Sequence, residues 1–331
     1  MSIIEVEDLH KQFKVYRRHP GFWGSIRGLF SRGHTVVDAV DGIGLEIERG
    51  ELVGYIGPNG AGKSTTIKML TGILVPTSGR VDVMGLVPYE RRRQNARRIG
   101  VVFGQRTQLW WDLPVLDSFE LLRHIYRIPQ ARYDENLRTF RELLALDEFL
   151  ETPVRKLSLG QRMRADIAAS LLHDPEILYL DEPTIGLDVV AKEHIRTFIR
   201  KINREQGVTI LLTTHDLGDI EKLCRRIMII DRGRILYDGS IDRVKERFGR
   251  TRTLIVDMDN TPSEIRVPDA EVIARDGRRV RLQFDRDRVT ASQLIAKVIE
   301  RYEIRDLTIE EPEIEAIVRR IYTETDLLSG G

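Results

Sequence analysis

A glycine-rich loop early in the chain carries the residue types that bind phosphate. Residues 57–65 fit the pattern GxxxxGK[ST], directly after an apolar run and directly before a helical pattern. Glycines allow consecutive backbone N–H groups to turn toward an anion, and the start of a helix adds a positive dipole. The Lys-Ser pair and the flanking elements argue against a chance glycine-rich turn. We therefore predict a nucleotide site built from Gly57, Pro58, Asn59, Gly60, Ala61, Gly62, Lys63, Ser64 and Thr65.

Two adjacent acidic residues could complete a site for phosphoryl transfer. Asp181 and Glu182 directly follow an apolar run at residues 177–180. Lys63 is predicted to reach the β- and γ-phosphates, and Ser64 to ligate Mg²⁺. Asp181 would hold the same ion, while Glu182 points elsewhere and could polarise the attacking water. This division suits a reaction accelerated mainly by positioning and charge compensation, although the two acids taken alone would indicate only an exposed strand end.

The scaffold that must bring these groups together is indicated by the hydrophobic pattern. Up to about residue 246, short apolar runs such as Leu52–Ile56 and Ile99–Phe103 alternate with helical patterns. Such alternation is typical of a largely parallel sheet with helices on both faces. Longer alternating runs at residues 3–13 and 36–47 predict a smaller antiparallel sheet at the start of the chain. The predicted fold class is therefore α/β.

The pattern of predicted strands and helices changes after about residue 250. The pattern there predicts a hairpin that turns at Asp276-Gly277, with further elements around it. These are strands at residues 253–258, 265–268 and 304–309 and helices at residues 291–302 and 314–322. We therefore expect an ATP-binding domain over residues 1–249 and a small α+β accessory domain over residues 250–331.

The bulk composition narrows the class of partners. The chain has 331 residues, 41% of them hydrophobic, and a net charge of +1, so the whole chain has no strong attraction for nucleic acid or anionic lipid. Its single cysteine, Cys224, excludes an intrachain disulfide. No apolar run approaches the roughly 18–20 residues that span a bilayer. If the protein works at a membrane, we expect a partner to supply the spanning helices.

Six short motifs, in order, resemble those of the ATP-binding subunits of ABC transporters. The phosphate loop and the Asp181-Glu182 pair are two of them. The others are Gln105 as the Q-loop glutamine, residues 157–161 (LSLGQ) as the signature, residues 185–188 (IGLD) as the D-loop, and residues 213–216 (TTHD) as the switch-histidine segment. The resemblance covers roughly residues 3–249. It implies a P-loop NTPase fold with an N-terminal antiparallel β subdomain and a helical signature subdomain.

The resemblance also implies a composite site between two subunits that pack head to tail. Ser158 and Gly160 would contact the γ-phosphate of an ATP held by the neighbouring subunit, and Asp188 would lie at the dimer interface. Ser158 is also suited to be an ordinary helix N-cap, a role that uses the same polarity. His215 would hydrogen-bond the γ-phosphate and align Glu182 with its water.

Other family positions are matched less closely. Gln105 would sense the γ-phosphate and Mg²⁺. Phe13 would stack on the adenine, with Tyr16 as the alternative, and Phe13 as a simple core residue remains equally compatible with the sequence. Leu159 stands where glycine is usual and Ile185 where serine is common. Neither departure removes a catalytic group, so we expect an active ATPase.

Two segments are not generic. Residues 16–35 place aromatic and aliphatic side chains at helical spacing among arginines, which predicts a short amphipathic helix that touches the membrane or the permease, or one folded onto this chain's own sheet. In the family that the sequence resembles, the region of Trp110 and Trp111 is where the permease docks, so the resemblance implies that these tryptophans contact a permease. The GQRTQLWWDLP stretch and the C-terminal extension resemble the drug, polyketide-antibiotic and sodium exporters whose permeases are separate polypeptides.

The sequence thus predicts an ATP-binding and hydrolysing subunit that uses ATP and Mg²⁺ and drives export of an unknown substrate. We expect it at the cytoplasmic face of the cell membrane, with permease subunits and a second ATP-binding subunit in a homo- or heterodimer, and with no nucleic acid. The alternative is a non-transport ABC ATPase that acts on ribosomes or DNA. Those proteins usually carry two such domains or a long inserted coiled coil, and the sequence indicates neither. A non-hydrolysing regulatory module is disfavoured by Glu182 and His215.

Overall fold

A computed structural model describes residues 2–16, 34–104, 106–260, 265–311 and 314–329. The chain forms two compact units that divide between Asp238 and Gly239. The boundary expected at residues 249–250 lies one helix further along the chain. Among the described residues, no helix combines the length and apolar character needed to cross a membrane.

The first unit contains two sheets. Its strands are β1 (Ser2–Tyr16), β2 (His34–Glu48), β3 (Leu52–Ile56), β4 (Ser78–Val83), β5 (Ile99–Phe103), β6 (Ile177–Asp181), β7 (Thr209–Thr213), β8 (Arg226–Asp231) and β9 (Arg234–Ser240). The larger sheet has the order β5-β6-β7-β3-β8-β9, and the pairs from β5 through β8 are parallel. The smaller sheet has the order β2-β1-β4 and is antiparallel. The predicted α/β fold with an antiparallel accessory sheet is confirmed.

Helices connect the parallel strands, as crossover geometry requires. They are α1 (Lys63–Leu70), α2 (Arg92–Ala96), α3 (Val115–Tyr126), α4 (Gln130–Leu143), α5 (Leu159–Leu171), α6 (Val189–Gln206) and α7 (Leu217–Leu223), with a 3₁₀ turn at Val154–Lys156. Strands β6 and β7 are buried along their whole length, which explains why their central residues are apolar. Residues of both sheets and of α1 share one hydrophobic core, in which Tyr55 and Tyr179 are fully buried.

The register of the parallel strands brings the candidate residues to one edge of the larger sheet. Asp181 is level with Phe103 on one side and with Thr213 on the other. Tyr55 is level with Thr213 as well. The loops that follow β3, β5, β6 and β7 therefore begin side by side, at the carboxyl ends where ligands bind in open parallel sheets.

The second unit is a four-stranded antiparallel sheet with helices. It comprises α8 (Ile241–Phe248), β10 (Thr251–Met258), β11 (Ala270–Asp276), β12 (Arg279–Asp285), α9 (Ala291–Ile299), β13 (Ile304–Glu310) and α10 (Ile314–Ser329), with the strand order β11-β12-β10-β13. The predicted hairpin turns at Gly277, whose φ is 56°. The strand expected at residues 265–268 is wrong. Its apolar residues Ile265 and Val267 pack into the core of this unit instead, and Pro268 has no N–H for a strand ladder.

Candidate nucleotide-binding site

The loop between β3 and α1 has the backbone geometry that a phosphate cradle needs. Gly62 has a φ of 109°, and a Cβ at that position would lie 2.5 Å from the carbonyl oxygen of Ala39. A Cβ on Gly57 would lie 2.4 Å from the carbonyl oxygen of Ile230. Only glycine fits at either position. No side chain among the described residues caps the start of α1, so its first N–H groups face the open end of the loop.

Lys63 lies folded over this loop. Its Nζ donates to the carbonyl oxygens of Gly57, at 2.6 Å, and Pro58, at 3.1 Å. Burial lowers the pKa of Lys63, and the nearby charges of Glu182 and Asp181 oppose that shift. The ammonium group is therefore held between the phosphate loop and the two acids, where a nucleotide's terminal phosphates would give it a better partner than carbonyl oxygens.

Asp181 ends β6 and is nearly buried. Its Oδ1 accepts a hydrogen bond of 2.6 Å from Oγ1 of Thr213 on the neighbouring strand. Ser64 lines the same cleft. Together these residues offer a carboxylate and a hydroxyl oxygen, which are the hard ligands that Mg²⁺ prefers when phosphates supply the rest of its shell.

Glu182 and His215 are in direct contact. Nδ1 of His215 lies 2.6 Å from Oε2 of Glu182. Glu182 has a φ of 59°, which is a left-handed conformation. This conformation is uncommon outside glycine, and residues that adopt it cluster at functional sites. Its backbone is fixed by a hydrogen bond from its own N–H to the carbonyl oxygen of Thr213 at 3.0 Å.

The loop that leads from β5 into the predicted Q-loop is pressed against this acidic pair. Gly104 N donates to the carbonyl oxygen of Asp181 at 2.7 Å. A Cβ on Gly104 would lie 2.4 Å from the carbonyl oxygen of Glu182, so only glycine allows this approach. Gln105 itself lies outside the described residues.

A cleft of about 740 Å³ collects the predicted phosphate, metal and water-activating groups. Its lining includes Asn59, Gly60, Gly62, Lys63, Ser64, Thr65, Asp181, Glu182 and His215. The sequence did not single out several further lining residues: Ala39, Lys68, Ile73, Phe103, Gly104 and Arg106. Lys68 lies one helical turn after Ser64, and Arg106 directly follows Gln105. The positions of both residues in the sequence therefore indicated that they could line the cleft.

Other predicted site residues are not among those that line this cleft. Phe13 lies on β1 with 37% of its surface exposed and with Nζ of Lys11 5.3 Å from its ring centre, so it is not a core residue. Tyr16 ends the same strand, and its side chain is outside the described part of the chain. The expected amphipathic helix in residues 16–35 falls largely on residues that the structure does not describe.

The signature and D-loop residues cap helices in this chain. Ser158 caps α5 through a capping box in which Gln161 N donates to Ser158 Oγ at 3.2 Å and Ser158 N donates to Gln161 Oε1 at 3.0 Å. Asp188 caps α6 by accepting from Ala191 N at 2.8 Å, and that hydrogen bond lowers the pKa of Asp188. A Cβ on Gly160 would meet that of Ala191 at 3.3 Å, so the signature and the start of α6 are packed together.

The unusual signature residue Leu159 has a partner in the D-loop. Its Cδ2 lies 3.0 Å from the position where a Cβ on Gly186 would stand, and Gly186 has a φ of 70°. Leu159 therefore covers a backbone position that only glycine fills without strain. This contact gives a physical reason for an apolar residue at that place.

Comparison with known proteins shows the family. Residues 40–185 match the family model described as ABC transporter. The chain is 32% identical over 217 residues to the ABC transporter ATP-binding protein NatA of Bacillus subtilis, an alignment that covers 66% of this chain and 88% of NatA. The chain belongs to the ATP-binding proteins of ABC transporters.

Other relatives of this ABC ATP-binding protein extend the comparison. Residues 239–320 match the model of an ATP-binding protein DrrA1-3-like C-terminal domain. The Nod factor export ATP-binding protein I of Ralstonia nicotianae is 37% identical over 216 residues, covering 65% of this chain and 66% of that protein. The methionine import ATP-binding protein MetN of Latilactobacillus sakei is 31% identical over 286 residues, covering 83% of this chain and 82% of MetN.

A solved structure agrees with the fold of this ABC subunit. A dimeric ATP-binding cassette in a post-hydrolysis state, bound to ADP and Pi, superposes with a TM-score of 0.60 at 26% identity, covering 72% of this chain and 98% of that one. The predicted family and fold are confirmed. The protein is an ATP-binding subunit of an ABC transporter and an ATPase.

Proposed function

We propose that this ATPase drives export of a small molecule through separate permease subunits. The main support for ATP hydrolysis is the contact between Glu182 and His215, which line the same cleft as the phosphate loop. Export is supported by the DrrA1-3-like match over residues 239–320 and by the relative named for Nod factor export. The relative named for methionine import is aligned over 83% of this chain, which is more than the first unit alone, so the proposed direction depends on the DrrA1-3-like match.

In the proposed reaction the phosphate loop binds the nucleotide. The backbone N–H groups of residues 57 and 59–65 surround the phosphates, and Lys63 exchanges its carbonyl partners for the β- and γ-phosphate oxygens. Ser64, Asp181 and Gln105 would hold Mg²⁺, since the first two offer hard oxygen ligands in the same cleft. When bound, the ion supplies charge compensation on the phosphates.

Glu182 is proposed as the group that takes the proton of the attacking water. Its carboxylate lies in the cleft, and its left-handed backbone is held by Thr213. His215 hydrogen-bonds that carboxylate here. We expect the imidazole to turn to the γ-phosphate when ATP binds, which leaves Glu182 free to orient a water in line with the bond that breaks.

The complete site is proposed to need a second ATP-binding subunit, identical or related. Ser158 and Gly160 of one subunit would contact the γ-phosphate bound by the other, and Asp188 would link the two sites. The N-terminus of α5 supports this role because its dipole favours an anion. Phe13, exposed on β1, is proposed to stack on the adenine.

The permease is proposed to contact Trp110 and Trp111. These side chains are 39% and 51% exposed on the segment that follows the Q-loop. Large exposed aromatic side chains are typical anchors of protein interfaces. Contact with a permease would hold the ATPase at the cytoplasmic face of the cell membrane.

Capture from membranes tests this assignment. The Glu182→Gln chain, tagged and mixed with detergent-extracted membranes and MgATP, should retain a membrane protein with several spanning helices. A matched Glu182→Gln chain that also carries Trp110→Ala and Trp111→Ala should lose it. Retention of ribosomal proteins in place of a membrane protein would overturn the transporter assignment.

The direction of transport is tested in cells. Small molecules are compared in cells without the gene, cells with the wild-type chain and cells with Glu182→Gln. A compound that accumulates inside the first and third but not the second supports export. A compound that is depleted in the first and third instead would show import.

A further inference from the structure

Asp166 is a buried carboxylate on the helix that begins at the signature. It lies on α5 and is 5% exposed. Its Oδ1 accepts from Oγ1 of Thr107 at 2.8 Å and from N of Gln108 at 3.1 Å. Nε2 of Gln108 also donates to the backbone oxygen of Asp166 at 2.9 Å. Three hydrogen bonds therefore join the signature helix to Thr107 and Gln108, which lie two and three residues after the predicted Q-loop glutamine.

A carboxylate at this buried position lowers the stability of the folded state. A carboxylate taken out of water loses its hydration, and burial raises the pKa of Asp166 to about 6 against the opposing hydrogen bonds of Thr107 and Gln108. An aliphatic side chain would fill the same space without that loss. A buried charge used in this way fixes position, because it is satisfied only when its donors are in place.

The same stretch of chain is attached to the signature region at further points. We call residues 107–113 the tryptophan segment. Arg155 N donates to the carbonyl oxygen of Trp111 at 3.0 Å, and Arg155 Nη1 lies 2.7 Å from Oδ1 of Asp112. Val154 N donates to the carbonyl oxygen of Leu113 at 3.0 Å. The guanidinium of Arg162 on α5 lies 5.9 Å from the ring centre of Trp111.

These contacts surround the signature on both sides. The 3₁₀ turn Val154–Lys156 comes just before Ser158, and Arg162 and Asp166 come just after it. The tryptophan segment and the signature are therefore parts of one hydrogen-bonded body. In the other direction, the segment is separated by only residues 105 and 106 from Gly104, which is fixed to the end of β6.

We propose that Asp166 is the positioning residue through which the tryptophan segment and the signature residues move together. A displacement of Trp110 and Trp111 at the surface is passed through Thr107 and Gln108 to α5, and so to Ser158. The proposal rests on the proposed role of Ser158 in the composite site. Asp166 is not part of the cleft lining, so its proposed role is to position other residues.

This position predicts a separation of kinetic effects. The cleft that binds ATP does not include Asp166, so its loss should leave the KM for ATP within about twofold. The signature would be placed correctly less often, so kcat should fall about tenfold, in keeping with the loss of hydrogen bonds to a charged group. A purely structural defect would instead lower the amount of folded protein and leave kcat per folded molecule unchanged.

The test uses the full chain in a Trp23→Phe background, so that Trp110 and Trp111 are the remaining tryptophans. Asp166→Ala removes the acceptor of the hydrogen bond between Thr107 and Asp166, and Thr107→Val removes its donor. Asp166→Asn and Thr107→Ser are matched controls because each keeps the acceptor or the hydroxyl. The measurements are kcat, KM and the change in tryptophan emission on adding MgATP.

The proposal expects both Asp166→Ala and Thr107→Val to lose most of the kcat and of the emission change, with the two controls retaining most of both. The double variant should be no worse than either single variant, because the same hydrogen bond is broken. If Asp166→Ala does not fold, the Thr107 pair decides. Additive losses, or an emission change that survives without that hydrogen bond, would overturn the proposal. Unchanged kcat in Ser158→Ala would instead count against the role of the signature.

Discussion

Nδ1 of His215 lies 2.6 Å from Oε2 of Glu182, although the two residues are 33 positions apart in the chain. The contact forms because β6 and β7 are parallel neighbours and end at the same level. Glu182 is the first residue after β6, and His215 is the second residue after β7. The carboxylate that is proposed to activate water is thus held by the histidine that is proposed to bind the γ-phosphate.

His215→Ala should therefore lower turnover without preventing ATP binding. Removing the imidazole leaves the γ-phosphate without its proposed donor, and we expect kcat to fall by roughly 10²-fold. Phosphate release measures this, with fluorescent-nucleotide binding as the check on affinity. His194→Ala, on the exposed face of α6, is the matched control and should be silent. Equal rates in the two variants would remove His215 from the mechanism.

Lys63→Ala should abolish nucleotide binding or hydrolysis. The ammonium that now contacts the carbonyl oxygens of Gly57 and Pro58 is the group proposed to bind the terminal phosphates. Calorimetric titration with MgATP measures the loss. Lys201→Ala, on α6 away from the cleft, should bind normally. Normal affinity and rate in the Lys63 variant would contradict the phosphate-loop assignment.

Asp219→Ala should destabilise the first unit. Asp219 is 1% exposed and is bound by Arg196, whose Nε donates at 2.6 Å, and by the hydroxyl of Thr184. Removal leaves the buried guanidinium of Arg196 with a longer contact of 3.4 Å to Glu193, and we expect this loss to cost about 3 kcal/mol. Thermal unfolding should show a clearly lower midpoint, and the exposed Asp134→Ala should not. An unchanged midpoint would show that water satisfies Arg196.

Asp166 should give the chain a measurable pH dependence of stability. Burial raises the pKa of its carboxyl from 3.8 to about 6, so the folded state holds a proton that the unfolded state releases in this window. Its stabilising contribution is complete below about pH 4 and is lost as the pH rises through 6. Relative to Asp166→Asn, the wild type should lose up to about 3 kcal/mol of unfolding free energy between pH 4 and pH 7. A constant difference, measured by denaturant titration across that range, would contradict the shift.

The catalytic edge of the sheet was predictable from sequence for physical reasons. Fully buried parallel strands are short and apolar, and their ends are marked by glycine or by acids, so Leu52–Ile56 and Ile99–Phe103 were predicted with the bounds that the structure has. Parallel pairing then forces the residues after these strands together. That is why Lys63, Asp181, Glu182 and His215 could be expected in one place.

Other elements gave weaker signals. Strand β4 carries Gly79, Arg80 and Asp82, and it is defined by its pairing with β1 rather than by its own composition. Helix α4 buries little apolar surface, so its pattern is mostly polar. The expected strand at residues 265–268 failed because the packing of two apolar side chains resembles strand alternation.

The hydrogen bonds of Asp166 could not be predicted from the sequence. A single aspartate within a helix indicates a solvated face, and its partners Thr107 and Gln108 are almost sixty residues earlier in the chain. Only the tertiary packing of the tryptophan segment on α5 shows that the carboxylate is buried. Non-local polar contacts of this kind leave no periodic trace in a sequence.

The turnover of Glu182→Gln tests whether Glu182 takes the proton of the attacking water. This change keeps the size of the side chain but removes its ability to take a proton, so phosphate release should fall by roughly 10²–10⁴-fold while ATP still binds. The bound ATP should hold two subunits together, visible as an ATP-dependent dimer in light scattering. Glu176→Gln, just before the opposite end of β6, is the matched control and should turn over normally. Phosphate release by Glu182→Gln at the wild-type rate would show that Glu182 does not activate the water.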